Sequence, residues 1–168
     1  MTSILVVAPI IGSTGDAVNE RQIAITFSRY VKRVVIVAPT SLKVIIRKNH
    51  RVYLKHMPSN VRTILIPFAL FPFDALWILN VVLFNLYALI LAFLVYILDL
   101  KQDFSLIYVR DSRFALAISF INRLSRKCYV KIAAIAEEEC YTSFLGDYIK
   151  VVMQTIDRHV ISRAAGIV

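Results

Sequence analysis

A long apolar segment, from Ile64 to Leu98, constrains the fold more than any other feature of this sequence. Asp74 is its only charged residue, so the stretch Ala75–Leu98 carries no charge at all. An α-helix over that stretch is about 36 Å long, which exceeds the roughly 30 Å hydrocarbon core of a bilayer. By hydropathy alone the segment predicts a transmembrane helix, and the rest of the chain has to be compatible with it.

Short, continuous runs of apolar residues lie on both sides of the predicted helix. Such runs are typical of strands that are buried on both faces of a parallel sheet. Three precede the helix, two follow it, and the last residues begin a sixth: Ile4–Ala8, Val34–Ala38, Thr63–Ile66, Leu106–Val109, Tyr129–Ala133 and Gly166–Val168.

Capped segments with helical spacing of apolar residues alternate with these strands. They predict helices over Ala17–Tyr30, Ser41–Asn49, Ser112–Ser125 and Asp147–Ser162. The alternation predicts an α/β fold with a doubly wound, mostly parallel, Rossmann-like sheet, in which the very hydrophobic helix lies between strands 3 and 4. The length predicts one domain over residues 1–168, including the hydrophobic segment 64–98.

Positive charge is concentrated before the apolar segment. The net charge is +9, and no acidic residue occurs between Glu20 and Asp74. Four cations of this run would form one basic stripe if their helix continues: Lys43, Arg47, Arg51 and Lys55. Basic and apolar segments side by side favour an anionic membrane surface as partner. A solvated helix face is the alternative, and nucleic acid ranks last because no nucleic-acid-binding motif accompanies the charge.

Two membrane arrangements of Ala75–Leu98 remain open. A single span would separate the strands before and after it, although burial of each large apolar side chain stabilises a shared sheet by roughly 1.5–3 kcal/mol. We therefore expect a monotopic helix that enters one leaflet after a break at Pro67 and Pro72, with all strands at the cytoplasmic face of the cell membrane.

Cys128 and Cys140 have neither disulfide nor metal-site spacing, which fits a reducing cytosol.

Several segments resemble parts of a known family. Asn19-Glu20-Arg21, which opens a helix after a strand and a glycine-bearing loop, resembles the start of the family 4 glycosyltransferases of the GT-B fold. Phe104–Asp111 is similar to the family's fourth-strand D-x-I-Y-V-R segment, with Ser105 beside a missing aspartate. Glu137–Glu139 resembles the acidic cluster after the fifth strand, and Ile156–Val168 resembles the closing helix and strand of the N-terminal, acceptor-side domain.

The resemblance implies transfer of a sugar from a nucleotide-sugar to an acceptor, here a membrane-held or lipid-linked one. Ligands of doubly wound sheets bind at the carboxyl ends of the strands. The residues that we expect there form the predicted substrate-binding site: Gly12, Gly15, Arg21, Arg110 and Glu138. The glycine loop offers backbone N–H groups to an anion, and Arg21 could hold an acceptor phosphate. A ligand-free turn, an exposed arginine and a solvated glutamate cap are the alternatives.

Two departures from the family change the expected activity. The family's fifth strand typically ends in a histidine, often two residues after a carboxylate, and these positions hold Ala133 and Lys131. A methyl group cannot act as a general base, so we predict no catalytic residue, and no cofactor or metal site. We also expect the family's C-terminal donor domain to be absent from this chain. We expect an acceptor-side half that is inactive alone and needs a donor-domain partner chain; the alternatives are a non-catalytic membrane anchor subunit and a truncated remnant.

Overall fold

A computed structural model describes residues 2–8, 10–11, 15–68, 77–131 and 146–167. Strands and helices alternate along these residues. The strands are β1 (Ser3–Val7), β2 (Arg33–Ser41), β3 (Val61–Phe68), β4 (Leu106–Val109), β5 (Cys128–Val130) and β6 (Gly166–Ile167). The helices are α1 (Gly15–Tyr30), α2 (Leu42–Ile46), α3 (His50–Leu54), α4 (Trp77–Gln102), α5 (Ser112–Ser119), α6 (Asn122–Ser125) and α7 (Gly146–Arg163).

These strands form one parallel sheet in the order β3-β2-β1-β4-β5-β6. The chain builds the sheet outward from β1 to β3, then crosses back through α4 to add β4 on the other side of β1. The boundary between β1 and β4 is therefore the topological switch point of the sheet. The predicted fold class is confirmed: a doubly wound, parallel α/β sheet with one long apolar helix between strands 3 and 4.

The apolar runs of the sequence are explained by two cores, one on each face of the sheet. Alternate strand residues point to opposite faces, so a strand covered on both sides must be apolar throughout. On one face, Leu5 and Val35 pack with α4, α5 and α7. On the other face, Val6 and Ile36 pack with α1 and with Leu54 of α3. α3 and α4 consequently lie on opposite faces of the sheet.

The long apolar helix α4 is a layer of the domain. Tyr87, Leu91 and Val95 are buried against the sheet, and the Tyr87 hydroxyl donates a hydrogen bond to the Ile66 carbonyl at 3.2 Å. The stretch Val82–Gln102 is long and apolar enough to cross a membrane, a property that core helices of soluble proteins share. Because β1 pairs with strands from both sides of α4, a single crossing is incompatible with this sheet. The outer side of α4 exposes an apolar row: Val82, Leu86, Leu89, Ile90, Phe93 and Leu100.

A buried carboxylate fixes the last turn of α4. Asp99 is fully buried and accepts hydrogen bonds from the Phe104 backbone N–H at 3.0 Å, Arg123 Nε at 2.7 Å and Lys127 Nζ at 3.0 Å. Asp103 contacts the same two cations but is exposed, and a hydrogen bond from Lys127 lowers its pKa. We refer to these two acids and two bases as the Asp99 cluster. It ties the end of α4 to β4 and α6.

Two predicted helices are shorter than expected. The segment predicted as one helix over Ser41–Asn49 is α2 followed by α3, and Lys48 between them has a positive φ of 56°. The left-handed residue turns the chain, so the four-residue spacing of the basic residues does not produce one continuous stripe. The helix predicted over Ser112–Ser125 likewise divides into α5 and α6. Its cap is Asp111, whose carboxylate accepts the Arg113 N–H at 2.9 Å, instead of the predicted Ser112.

We expect stability to fall as the pH rises above about 9. Burial raises the pKa of Cys128 from 9.0 to about 12, and burial raises the pKa of Tyr87 from 10.0 to about 12. The folded state thus favours both neutral forms. Their contribution to the free energy of unfolding is complete below the pKa values of the unfolded state. It is lost as the pH rises through the pKa values of the folded state. Urea midpoints at about pH 8 and about pH 10.5 test this, with Tyr87→Phe and Cys128→Ala expected to flatten the dependence. A midpoint that rises with pH would contradict it.

Candidate functional site

A buried carboxylate brings three elements together at the carboxyl edge of the sheet. Glu20, in α1, is fully buried. Its Oε1 accepts hydrogen bonds from Arg110 Nη1 at 3.2 Å and from Lys131 Nζ at 3.1 Å. Arg110 directly follows β4, where its backbone N–H donates to the Val7 carbonyl of β1, and Lys131 directly follows β5. We name Glu20, Arg110 and Lys131 the carboxyl-edge triad; it lies at the switch point of the sheet.

Local sequence explains why these side chains meet. The carboxyl ends of parallel strands share one edge of the sheet, so residues that directly follow β4 and β5 are neighbours. In α1, Ala17, Glu20 and Ala24 are all buried, which is the spacing of one inward helix face. Glu20 was noted in the sequence only for its resemblance, and Lys131 only as a lost carboxylate. An acid on the inward face of a helix is the signal that could have identified this site.

Among the described residues, Arg110 and Lys131 share the Glu20 carboxylate, so the three side chains of the triad together carry one positive charge. Arg110 and Lys131 remain partly accessible, with 12% and 27% of their side chains exposed. Glu20 Oε2 and the Tyr108 hydroxyl are both buried. Burial, and next the negative charge of Glu20, raise the pKa of Tyr108, so its phenol stays protonated. Such a cationic edge suits an anionic group, for which charge-assisted hydrogen bonds from Arg are favourable.

Two other predicted site residues, Arg21 and Gly15, belong to α1. Arg21 Nη1 donates to the Ile10 carbonyl at 2.6 Å, and its guanidinium lies 5.3 Å from the centre of the Tyr53 ring of α3. Gly15 is the exposed first residue of α1, and a side chain there would meet no other atom within 4 Å. Gly12, Glu138 and Ala133 lie outside the described residues. Among the described residues, no group of three His, Cys, Asp or Glu side chains could hold a metal ion.

Taken together, the sheet order and the two helix layers give the chain a GT-B glycosyltransferase-like fold. The crystal structure of LpCGTa in complex with UDP matches with a TM-score of 0.62 at 12% identity, over 99% of this chain and 46% of that chain. Arabidopsis thaliana UGT89C1 complexed with UDP matches with a TM-score of 0.53 at 13% identity, over 99% of this chain and 44% of that chain.

These similarities concern the fold, because the sequence identities are low. The chain spans less than half the length of each of these two solved structures. No protein-family model matches the sequence, and no curated protein matches it either. The predicted resemblance to the GT-B fold is confirmed, and membership of family 4 stays a prediction.

Proposed function

We propose that this chain is the N-terminal, acceptor-side domain of a family 4-like glycosyltransferase. The domain extends over residues 1–168. The enzyme transfers a sugar from a nucleotide-sugar to a membrane-held acceptor at the cytoplasmic face of the cell membrane. The observation that carries this proposal is the carboxyl-edge triad at the switch point of a GT-B-like sheet. Open α/β sheets bind their ligands at that point.

In this proposal Arg110 and Lys131 bind the phosphate of a lipid-linked acceptor. Glu20 holds both cations at the edge of the sheet, since its Oε1 accepts from each of them. Arg21, which is tied to α3 and to Ile10, positions the segment that opens α1. The remaining predicted contacts, Gly12, Gly15 and Glu138, complete the acceptor site. A donor-domain partner chain supplies the nucleotide-sugar site.

Acceptor binding tests the proposal directly. We expect polyprenyl phosphate in detergent micelles to bind the chain, and Arg110→Gln or Lys131→Gln to weaken that binding roughly 10- to 100-fold, because each removes a charge-assisted hydrogen bond. Titration calorimetry measures the affinities. Arg113→Gln is the matched control, since Arg113 is an exposed arginine that pairs with Asp111 and lies over the Phe84 ring. Equal affinity for polyprenol without its phosphate would contradict a phosphate-binding triad.

We also expect the purified chain to transfer no sugar by itself, because Ala133 replaces the family's histidine and the proposed donor-domain partner, which would supply the nucleotide-sugar site, is not in the mixture. Incubation with labelled nucleotide-sugars and polyprenyl phosphate, followed by extraction of the lipid, measures transfer. Transfer by the chain alone, lost in Arg110→Gln, would overturn the assignment as half an enzyme. Transfer only after addition of a donor-domain chain would support it.

A non-catalytic membrane anchor subunit is the second candidate. Lys131 favours the anchor subunit. The family has a carboxylate at this position, whereas Lys131 forms an ion pair with Glu20. An anchor would recruit a donor-domain chain without binding the acceptor. Loss of activity of the assembled enzyme in Lys131→Gln, with assembly retained, distinguishes the acceptor-side domain from the anchor.

A further inference from the structure

α2 and α3 form a surface that combines positive charge with exposed apolar side chains. Neither helix contains a buried residue. Leu42, Ile46 and Val52 have 48%, 70% and 73% of their surface exposed. The exposed cations between and beside them are Lys43, Arg47, Lys48, Arg51 and Lys55. We name residues 42–55 the basic-apolar surface.

Within the part of the chain that the structure describes, no ion pair neutralises the charge on this surface. No acidic residue occurs between Glu20 and Asp74 in the sequence. The ion pairs among the described residues use other cations, namely Arg110, Arg113, Arg123, Lys127 and Lys131. An external anion therefore meets several cations at once, next to aliphatic side chains that water solvates poorly.

The basic-apolar surface borders the carboxyl-edge triad. α2 begins directly after β2 ends at Ser41, so it stands at the same carboxyl edge of the sheet. Tyr53 of α3 lies under the guanidinium of Arg21, the neighbour of Glu20 in α1. A binding partner that contacts α2 and α3 would therefore lie close to the triad.

The apolar row of α4 differs in both charge and position. α4 contains no Lys or Arg before Lys101, and the Arg113 guanidinium of α5 lies 4.4 Å from the centre of the Phe84 ring of α4. α3 and α4 cover opposite faces of the sheet, and a flat bilayer cannot contact the outer sides of both layers. Charge complementarity therefore selects the basic-apolar surface for anionic lipid.

We infer that the basic-apolar surface docks on an anionic lipid bilayer. Lys43, Arg47 and Arg51 contact lipid phosphates, while Ile46 and Val52 enter the headgroup region. Docking presents the triad to an acceptor held in the same leaflet; that part of the inference rests on the proposed function, and docking itself rests on the surface alone. This replaces the expected insertion of Ala75–Leu98 into one leaflet.

Vesicle cosedimentation of the full chain tests the inference. We expect stronger binding to phosphatidylserine-containing vesicles than to pure phosphatidylcholine, and weaker binding at high salt. Each cation contributes about fivefold to the partition coefficient, so Lys43→Gln/Arg47→Gln/Arg51→Gln should lower it about 100-fold. The matched control is Arg29→Gln/Lys32→Gln/Arg33→Gln. It removes the same charge from exposed residues at the opposite, amino edge of the sheet and should have little effect.

Three results would overturn the inference. Equal losses in the two triple variants would mean that net charge alone attracts the lipid. Loss of binding in Leu86→Ser/Phe93→Ser, with binding retained in the α2–α3 variant, would mean that α4 meets the bilayer. Tighter binding to duplex DNA or RNA than to vesicles would identify a nucleic-acid surface. Circular dichroism verifies that each variant is folded. If the α2–α3 variant still binds polyprenyl phosphate in micelles, it has lost docking on the bilayer and not the proposed function.

Discussion

Replacement of Asp99 by Asn lowers the free energy of unfolding by about 3 kcal/mol, the lower end of what loss of one partner in a buried ion pair costs. The Asp99 side chain is 0% exposed and accepts three kinds of donor: the Phe104 N–H, Arg123 and Lys127. The amide that replaces it keeps the shape but presents an NH₂ group to one of two cations. The last turn of α4 then loses its connection to β4 and α6.

Asp103→Asn is the matched control for this experiment, because Asp103 pairs with the same two cations while 79% of its side chain is exposed. Exposed ion pairs contribute little, and asparagine tolerates the positive φ of this residue. Urea unfolding of the two variants beside the wild type measures the difference. Equal losses of stability would contradict the claim that burial of Asp99, and not the ion pairs as such, fixes α4.

Replacement of Glu20 by Gln is expected to lower the free energy of unfolding by about 3 kcal/mol as well. The substitution removes the only negative charge of the triad and leaves Arg110 and Lys131 facing one another at its centre. An anion bound between them should offset part of the loss. We therefore expect inorganic phosphate to raise the melting temperature of Glu20→Gln by more than that of the wild type, since a ligand of the folded state stabilises it.

Asp111→Asn serves as the control, because Asp111 pairs with the exposed Arg113 and an asparagine can still cap α5. It should cost well under 1 kcal/mol and leave the phosphate response unchanged. A phosphate response that is the same in Glu20→Gln and in the wild type would show that the two cations do not form an anion site when Glu20 is neutral. Thermal unfolding over a phosphate titration gives both quantities in one series.

Much of the fold could be predicted from the sequence because its signals are local. Runs such as Ile4–Ala8 and Val34–Ala38 are apolar at every position, which only a strand covered on both faces requires. The alternation of such runs with helices then leads to a parallel, doubly wound sheet. The same reasoning predicted that Arg110, directly after the fourth strand, lies at the ligand edge. It did not predict the break at Lys48, where one positive φ divides a helix.

The arrangement of α4 and the composition of the triad were decided by tertiary structure. α4 is apolar nearly all round, so its sequence does not distinguish the side with Leu91 from the side with Phe93, and only the sheet beneath it does. Glu20 and Lys131 are 111 residues apart, and Asp99 meets Lys127 across 28 residues. Periodicity within one helix or strand carries no information about a charge that far along the chain. Which charges pair is determined only when the sheet brings the strand ends together.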